Sequence, residues 1–344
     1  MPTEHARLLW VVWRGMSQKP KLSMYWAASC GGCEIALVNL NEKILDVAAH
    51  FDFVFCPCLL DTKKKDVEAF ADGEILVTFF NGALRTEENR EMAHLMRRKS
   101  QLLIAFGSCS YGGCIPALAN LSTNAQLFST VYRDTASTVN PDGLMPVTET
   151  QVPEGTISIP AFLERVKTLE QEVKVDYTIP GCPPEPHQIW AVIETLLSGN
   201  PLPAQGSVLG AGRSTVCNEC KRVRADKKVS KFRRTYEFIP DRGQCLLEQG
   251  LVCMGIATRD GCGGLCPTVN MPCSGCYGPP EGVDDQGAKM IAALGSIIAI
   301  EAFKNLPEEE ITKEIDAVVK GIPDLAGTLY RYSLARSFLR GRAR

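Results

Sequence analysis

The sequence lacks a charge surplus of either sign. Its 344 residues include 37 basic and 39 acidic side chains, which gives a formal net charge of −2. The mean hydropathy is −0.03. Such a balance favours neither nucleic acid nor a membrane surface as the partner of the whole chain. We therefore expect no nucleic-acid partner.

Long apolar runs are also absent. The longest, Met290–Ile300, is about half the length that a helix needs to cross a bilayer, so we expect a buried helix and no membrane span. The N-terminal apolar patch Leu8–Trp13 is too short for the core of a secretion signal, and no twin-arginine pair precedes it. These features predict a cytoplasmic protein.

Cysteine, in contrast, is abundant. The chain contains 15 cysteines but only 4 histidines. An odd number of cysteines in a reducing compartment argues against a closed set of disulfides. A cytoplasmic chain that keeps so many thiols uses them mainly for metal or redox chemistry.

The first two hundred residues alternate between strand-like and helix-like patterns. Short apolar runs typical of strands occupy Lys21–Trp26, Phe51–Phe55, Ile75–Phe80, Leu102–Phe106 and Val173–Ile179. Helical patterns occupy Glu34–Ala49, Thr86–Lys99 and Glu185–Leu197. This alternation predicts an α/β fold, a flavodoxin-like doubly wound parallel sheet with helices on both faces.

The composition changes near Ser198. Residues 198–214 are rich in glycine, proline and serine, which is typical of a boundary. Residues 217–282 then hold eight cysteines with little apolar periodicity, so we expect metal centres to stabilise this segment. Helical patterns return at Asp285–Leu306, Glu308–Val319 and Asp324–Arg340. We therefore predict a sheet domain at 21–200, a cysteine-rich domain at 213–282 and a helical extension at 284–344.

Four cysteines follow predicted strands directly. Cys30 and Cys33 follow the first strand, Cys109 follows the strand that ends at Phe106, and Cys182 follows the last one. The carboxyl ends of parallel strands lie along one edge of a sheet, so we expect the four thiols to converge there. Four thiolates bind either zinc or a 4Fe-4S cluster. One C-x2-C pair joined by two lone cysteines favours a cluster over the two C-x2-C pairs of structural zinc.

The other eight candidate ligands lie in the cysteine-rich segment. They are Cys217, Cys220, Cys245, Cys253, Cys262, Cys266, Cys273 and Cys276. Eight thiolates suffice for two four-cysteine sites, and the fragment C-x3-C-P at 262–267 matches the end of the bacterial ferredoxin run. The full run is absent, so the sequence leaves open which four residues share a site. The long gap between Cys220 and Cys273 disfavours a zinc ribbon.

Four stretches carry a resemblance to a known family. They are SCGGCE, GSC followed by GGC, GCPPEP, and the cysteine-rich stretch from CNECKR to PCSGC. In order and spacing they resemble the small subunit of nickel-iron hydrogenases. The resemblance is strongest to the cytoplasmic hydrogenases of methanogenesis that reduce methyl viologen and do not reduce F420. These hydrogenases work with heterodisulfide reductase. The resemblance spans about residues 21–282.

This resemblance implies three 4Fe-4S clusters and an electron-transfer function. The cysteines at the sheet edge would hold the proximal cluster, and the eight later ones would hold the medial and distal clusters of a ferredoxin-like domain. The nickel-iron centre of the family belongs to a large subunit, so the chain would belong to an enzyme complex without contributing a catalytic residue. The family also implies an iron–sulfur adaptor subunit and a flavin-containing heterodisulfide reductase as partners.

Two other functional classes remain open. A quinone-reductase relay subunit of the complex I type shares the flavodoxin-like domain and a GCPP loop, but it is short and has adjacent cysteines in place of Cys30 and Cys33. A non-redox zinc-binding scaffold is the other class. Metal analysis separates it from an iron–sulfur protein.

Three cysteines fall outside these sets. For Cys56 and Cys58 we favour buried packing over redox activity. Cys114 lies close in sequence to Cys109, and we assign it no role. Glu34 is interpreted as an acid favoured at a helix start rather than a proton carrier, and His187 as a residue at the surface or at a helix start.

Two basic segments are candidates for partner docking. The segment 221–234 carries eight basic residues and one aspartate, and we interpret it as a solvated face or as a docking patch for an acidic redox partner. The predicted C-terminal helix carries Arg331, Arg336, Arg340, Arg342 and Arg344 among apolar residues. There we favour docking over membrane contact.

Overall fold

The computed structural model describes residues 19–198 and 202–339. The chain forms two compact units. The sheet unit comprises residues up to Leu209 together with the segment that begins at Leu334, and the cysteine-rich unit comprises Gly210–Ser333. The apolar patch at 8–13 and the arginines at 340, 342 and 344 lie outside the described residues.

The described part of the sheet unit contains nine strands. They are β1 Lys21–Trp26, β2 Asp52–Phe55, β3 Ile75–Asn81, β4 Leu84–Thr86, β5 Ser100–Phe106, β6 Glu149–Val152, β7 Gly155–Ser158, β8 Phe162–Lys167 and β9 Tyr177–Ile179. Five of them form a parallel sheet in the order β2-β1-β3-β5-β9. This order confirms the doubly wound, flavodoxin-like sheet.

Both faces of this sheet are buried. Alternate residues of the central strands contribute to two separate cores, with Phe79 and Ile104 on one face and Phe80 and Leu103 on the other. This period of two is the geometry of a pleated strand covered on both sides. It explains why the sequence shows these strands as continuous apolar runs.

A row of hydroxyl groups crosses the sheet interior. The side chain of Thr78 in β3 hydrogen-bonds to Ser23 in β1 and, at 2.5 Å, to Ser100 in β5. All three residues are buried. Each hydroxyl thus has a partner inside an apolar core, where an unpaired one would be costly.

The helices of the sheet unit cover the sheet and connect its strands. Its α-helices are Gly32–Val38, Lys43–His50, Lys64–Glu68, Glu87–Lys99, Ser108–Gly112, Cys114–Ala117, Asn124–Ser129 and Pro186–Ser198. Shorter 3-10 turns lie at Leu118–Leu121, Leu169–Gln171 and Leu334–Arg336, and a π-helical turn at Thr130–Asp134.

The helix predicted at Glu34–Ala49 is two helices. The chain leaves the first one after Val38 and turns at Asn41, whose φ is 54°. A positive φ ends a right-handed helix, and asparagine adopts it more readily than most residues. The helix Glu87–Lys99, in contrast, begins as predicted at Thr86, whose side chain accepts a hydrogen bond from the backbone N–H of Asn89.

The long segment between Cys114 and β9, which contains strands β6, β7 and β8, was not predicted. Its last strand, β8, pairs antiparallel with β4, and its hairpin β6–β7 is mostly exposed. The predicted strand Val173–Ile179 is short in the structure and begins at Tyr177.

The cysteine-rich unit contains isolated bridges but no strand among its described residues. Its α-helices are Val216–Glu219, Leu265–Thr268, Gln286–Ile297, Glu308–Lys320 and Leu325–Leu329, and its 3-10 turns are Leu247–Gln249, Met254–Ala257 and Ile300–Ala302. The apolar run Met290–Ile300 is helical up to Ile297, in a helix capped by Asp285, but the predicted burial is wrong for most of it: within the helix only Met290 and Leu294 of the run are buried, and Ile291 is half exposed. Within the described ranges, no helix is both long and apolar enough to cross a membrane.

The predicted C-terminal helix Asp324–Arg340 is wrong. The helix there covers Leu325–Leu329, and a separate turn follows at Leu334–Arg336 in the sheet unit. The segment between them holds buried Tyr330 and Ser333 in non-helical backbone. A continuous amphipathic helix for docking therefore does not form in the described part of this region.

Candidate metal centres

The predicted cysteines of the sheet unit lie at the carboxyl edge of its sheet. The ends of β1, β3, β5 and β9 are aligned, since Trp26 pairs with Asn81, Asn81 with Phe106, and Phe106 with Ile179. The loop after β1 carries Cys30 and Cys33. Cys109 lies in the short helix that follows β5, and Cys182 lies in the loop that follows β9.

These four thiols converge, and a fifth joins them. Burial raises the pKa of Cys33, and the neighbouring groups Glu34, Cys182, Cys30 and Cys114 raise it further. The Sγ atoms of Cys114 and Cys182 are 3.8 Å apart, and the pKa of Cys114 is raised mainly by its hydrogen bond with Cys109. We call Cys30, Cys33, Cys109, Cys114 and Cys182 the edge thiols.

Cys114 is the residue that the sequence reasoning missed at this edge. It begins the helix Cys114–Ala117 with a φ of 47° and is fully buried. The second GGC motif was the available signal, because a glycine pair followed by cysteine repeats the pattern of SCGGC at Cys33.

One glycine leaves room for an edge thiol, and a second permits the tight turn at Cys182. A Cβ atom added at Gly107 would lie 2.4 Å from the Sγ of Cys33. One added at Gly181 would lie 2.5 Å from the Cα of Pro184. Both residues also have positive φ, 83° and 135°, which disfavours any side chain there. The backbone therefore forms a close cradle around the thiols, as a bulky sulfur-ligated group requires.

Glu34 is buried beside Cys33. Both of its carboxylate oxygens accept hydrogen bonds from the Nδ2 of Asn81, at 2.7 and 2.8 Å. Burial raises the pKa of Glu34, and the hydrogen bond from Asn81 opposes this. Glu34 does lie in the first turn of its helix, as predicted. Its partner at the end of β3 further anchors the loop of Cys30 and Cys33 to the sheet.

The C-terminal segment of the sheet unit packs on the helices that carry Cys109 and Cys114. The Arg336 guanidinium lies 4.5 Å from the ring centre of Tyr111 and 3.2 Å from Glu170. A Cβ at Gly113 would lie 2.5 Å from the Cβ of Ala335. Arg336, predicted to dock a partner, is thus engaged within its own unit.

In the cysteine-rich unit, one cavity collects four of the eight predicted ligands. It is lined by Cys217, Cys220, Cys245 and Cys253, which we call the cavity thiols, and by the side chains of Arg222 and Arg224. Burial raises the pKa of Cys217 to about 11, Arg224 lowers it, and Cys245 and Cys220 raise it. Burial likewise raises the pKa of Cys253 to about 12.

The remaining thiols are Cys262, Cys266, Cys273 and Cys276. Burial raises the pKa of Cys273, with further contributions from Cys253 and Cys276. The loop of Cys262 is held by Glu219, whose carboxylate accepts hydrogen bonds from the backbone N–H groups of Gly261 and Gly263, at 2.9 and 3.0 Å. Cys266 lies in the helix Leu265–Thr268.

Arg222 connects the loops of the cysteine-rich unit. Its guanidinium donates to the carbonyl oxygens of Pro267, Asp241 and Gln244 at 2.7 to 3.1 Å. This arginine is therefore part of the scaffold. Most other basic residues of the segment 221–234 are exposed, which agrees with a solvated face.

Cys56 and Cys58 form a separate pair at the end of β2. Buried packing, the prediction for both, describes Cys56, which has no exposed surface, whereas Cys58 is exposed. His187 is exposed at the start of the helix Pro186–Ser198, as predicted. Within the described ranges, no three histidine, cysteine or acidic side chains are close enough to hold a single metal ion.

Comparison with known proteins gives relatives over almost the whole chain. A family model described as NADH ubiquinone oxidoreductase, 20 Kd subunit, matches residues 30–196. An iron-sulfur subunit of the F420-non-reducing hydrogenase of Archaeoglobus profundus is 39% identical over 320 residues, which cover 91% of this chain and 96% of that protein. A subunit of the F420-non-reducing hydrogenase of Methanothermobacter marburgensis is 34% identical, covering 94% and 97%.

Comparison with solved structures also gives matches. One chain of an NAD+-reducing nickel-iron hydrogenase in the H2-reduced state aligns with 54% of this chain and 95% of its own length. The TM-score is 0.45 and the sequence identity is 28%.

Proposed function

Because the chain belongs to the family of small, iron–sulfur subunits of the F420-non-reducing hydrogenases, we propose that it relays electrons from a nickel-iron large subunit to an acceptor protein. In this proposal it carries three 4Fe-4S clusters and works in the cytoplasm. Its acceptor is a flavin-containing heterodisulfide reductase, reached through an iron–sulfur adaptor subunit. Membership of the family already makes the chain the small subunit of a hydrogenase, an oxidoreductase complex.

The observation that carries this proposal is the grouping of the thiols. Twelve predicted ligands fall into an edge group in the sheet unit and eight positions in the cysteine-rich unit, of which four line one cavity. The donors are thiols, which iron–sulfur clusters require, and the cradle at Gly107 has no space for a side chain. The residues present therefore fit the group that the family implies.

The proposed ligands fall into three sets. In the sheet unit, Cys30, Cys33, Cys109 and Cys182 hold the proximal cluster. In the cysteine-rich unit, the cavity thiols hold one cluster and the remaining thiols hold the other. The shared cavity supports this division, which sequence spacing leaves open.

A 4Fe-4S cluster, when bound, takes up and gives up one electron at a time. The chain holds each core by thiolates and determines how readily it is reduced through burial, hydrogen bonds and nearby charge. In the sheet unit, the backbone at Gly107 lies directly against the Sγ of Cys33 and leaves no space for a side chain. In the cysteine-rich unit, Arg224 places a positive charge beside Cys217, and a positive charge favours the reduced, more negative state.

This chain has exposed apolar residues beside its cysteine motifs that suit contact with the large subunit. Ile35, Val38 and Ile115 are next to the cysteine motifs in sequence and are 62%, 47% and 52% exposed, and Trp26 at the end of β1 is 41% exposed. Large apolar side chains that stay exposed beside a functional motif are typical of an interface. We propose that the large subunit covers them.

The acceptor side is assigned to the cysteine-rich unit. Its exposed basic segment includes Arg224, which lines the cavity of the cavity thiols. A basic surface beside an electron-transfer site suits an acidic partner and accelerates their encounter. The adaptor subunit or the reductase would dock there.

The quinone-reductase relay subunit, the alternative that the sequence leaves open, has one observation in its favour. The family model that matches residues 30–196 is named after such an enzyme, which favours this interpretation for the sheet unit alone. The hydrogenase relatives, however, match nearly the full chain, including the cysteine-rich unit. The two candidates differ in whether the purified complex takes electrons from hydrogen.

Iron analysis of single-cysteine variants tests the proposal. In the anaerobically purified complex, Cys109→Ala and Cys245→Ala should each lose about four irons relative to the wild type. Cys58→Ala is the matched control and should lose none. The Cys109→Ala complex should also lose hydrogen-dependent dye reduction, because electrons have no entry into the chain. Unchanged iron and wild-type rates in this variant would reject the assignment, and zinc in place of iron would favour the scaffold.

A further inference from the structure

A pair of thiols at the end of β2 belongs to none of the predicted ligand sets. The Sγ atoms of Cys56 and Cys58 are 3.4 Å apart. Cys56 is fully buried in the core on one face of the sheet, where Leu60 packs against the same cluster, whereas Cys58 is exposed. One thiol of the pair thus faces solvent and the other is shielded behind it.

The largest influence of one thiol on another also differs between this pair and the proposed ligands. The neighbouring thiol that affects the pKa of Cys56 is Cys58. The thiols that affect Cys33, in contrast, are Cys182, Cys30 and Cys114. The proposed relay therefore leaves Cys56 and Cys58 without a function.

We propose that Cys56 and Cys58 form a redox-active dithiol that exchanges with accessible disulfides. The Cys58 thiolate attacks one sulfur of an external disulfide, forms a mixed disulfide and releases the first external thiol. The Cys56 thiolate then attacks the Sγ of Cys58, closes the Cys56–Cys58 disulfide and releases the second external thiol. The two protons of the protein thiols end on the two released thiols, so two electrons pass from the protein to the external disulfide.

The backbone holds the pair in a suitable conformation. The carbonyl oxygen of Cys56 accepts hydrogen bonds from the backbone N–H groups of Leu59 and Leu60, at 2.9 and 2.8 Å, so the chain turns sharply after the strand. Pro57 restricts the backbone between the two cysteines. From 3.4 Å, the sulfurs need to approach by about 1.4 Å to form a bond. Rotation of the exposed Cys58 side chain accounts for a movement of this size.

The difference in burial sets the order of the two steps. Burial is the main cause that raises the pKa of Cys56, and the side chain of Cys58 adds to the increase. A buried, protonated thiol is a poor first nucleophile, whereas an exposed one meets its reaction partner directly. Cys58 is thus the attacking residue and Cys56 the resolving one.

The experiment uses the intact complex, purified without oxygen and treated with glutathione disulfide. After an acid quench and alkylation, mass spectrometry of the peptide that contains residues 56–58 reports its state. In the wild type this peptide should be two hydrogens lighter and resist alkylation. In Cys56→Ala, a glutathione adduct should accumulate on Cys58. In Cys58→Ser, modification of Cys56 should be at least about tenfold slower than adduct formation on Cys58 in Cys56→Ala.

A second arm replaces glutathione disulfide by oxidised thioredoxin, which distinguishes a small-molecule from a protein disulfide as the reaction partner. Reaction with either one supports the dithiol. The proposal is overturned if the wild-type peptide stays reduced with both probes, or if Cys56 reacts as fast in Cys58→Ser as Cys58 does in Cys56→Ala. Because these variants keep all proposed cluster ligands, their visible absorption should equal that of the wild type, and the relay is tested separately.

Discussion

The two units of this chain use cysteine in opposite ways. The sheet unit has two apolar cores, one on each face of a parallel sheet, and its edge thiols lie at the end of strands that those cores already fix. The cysteine-rich unit has no strand among its described residues, and its thiols lie in loops and one-turn helices connected by polar contacts such as those of Arg222. We therefore expect the first unit to hold its proposed metal centre on a scaffold that folds without it, and the second to depend on its proposed metal centres for structure.

Loss of a cluster is the strongest way to test this difference. We expect Cys245→Ala to unfold much of the cysteine-rich unit, because metal binding on the order of 10 kcal/mol contributes directly to folding in such modules. Hydrogen–deuterium exchange should rise across residues 210–333 and stay low in β3 and β5. Cys109→Ala is the matched variant and should leave exchange low in both units. Equal exchange in the two variants would contradict the comparison.

Truncation of a core side chain in the sheet unit should destabilise that unit and leave the cysteine-rich unit intact. Phe79 is fully buried, and its ring lies 5.3 Å from that of Phe106. We expect Phe79→Ala to lower the free energy of unfolding of the sheet unit by about 3–5 kcal/mol. Thermal unfolding, monitored by hydrogen–deuterium exchange, should show the loss of stability in the sheet unit, while the iron bound by the cavity thiols is retained. A loss of less than about 1 kcal/mol would argue against the two-core description.

A smaller effect is expected at the cradle of the edge thiols. Gly107→Ala places a methyl group 2.4 Å from the Sγ of Cys33, at a φ of 83°. We expect about 1–3 kcal/mol of backbone strain and loss of the proximal iron. Gly155→Ala is the control, because its φ is also positive but nothing lies within 4 Å of the added atom. Iron analysis that finds equal content in both variants would reject the cradle.

The smallest effect concerns an ion pair in each unit. Arg336 is partly buried between Glu170 and the Tyr111 ring, whereas Arg213 makes an exposed, 3.6 Å pair with Glu281. We expect Arg336→Ala to cost about 1 kcal/mol through lost packing and charge. Arg213→Ala should be near neutral. Chemical denaturation of the two variants compares them, and the reverse ranking would be evidence against the role of the C-terminal segment.

Much of the sheet was predictable because its strands are buried on both faces. Ile75–Asn81 and Ser100–Phe106 read as apolar runs for that reason. The hairpin β6–β7 is mostly exposed and has no apolar alternation, so no pattern indicated it. The early end of the C-terminal helix was also hidden, because buried Tyr330 and Leu334 fit a helical spacing equally well.

The candidate sites divide in the same way. Strand ends predicted the convergence of Cys30, Cys33, Cys109 and Cys182, since parallel topology alone brings them to one edge. The grouping of the cavity thiols depends on loops without periodicity, so only the structure suggests it. The prediction that Cys58 is buried was wrong because it was based on the apolar neighbours in the sequence, which do not indicate the turn that directs the Cys58 side chain outward. The division of 213–282 from 284–344 stays a prediction.

The hydroxyl row of Ser23, Thr78 and Ser100 has a consequence for the metal site. A slip of β3 by one residue would turn the Thr78 side chain to the opposite face, so that it could not meet its partners across the neighbouring strands. Ser23 and Thr78 each lie three residues before Trp26 and Asn81, the paired ends of their strands. The hydrogen bonds of the row thus favour the observed alignment of β1 with β3, so that the loops after these strands, including the one that carries Cys30 and Cys33, begin level with one another.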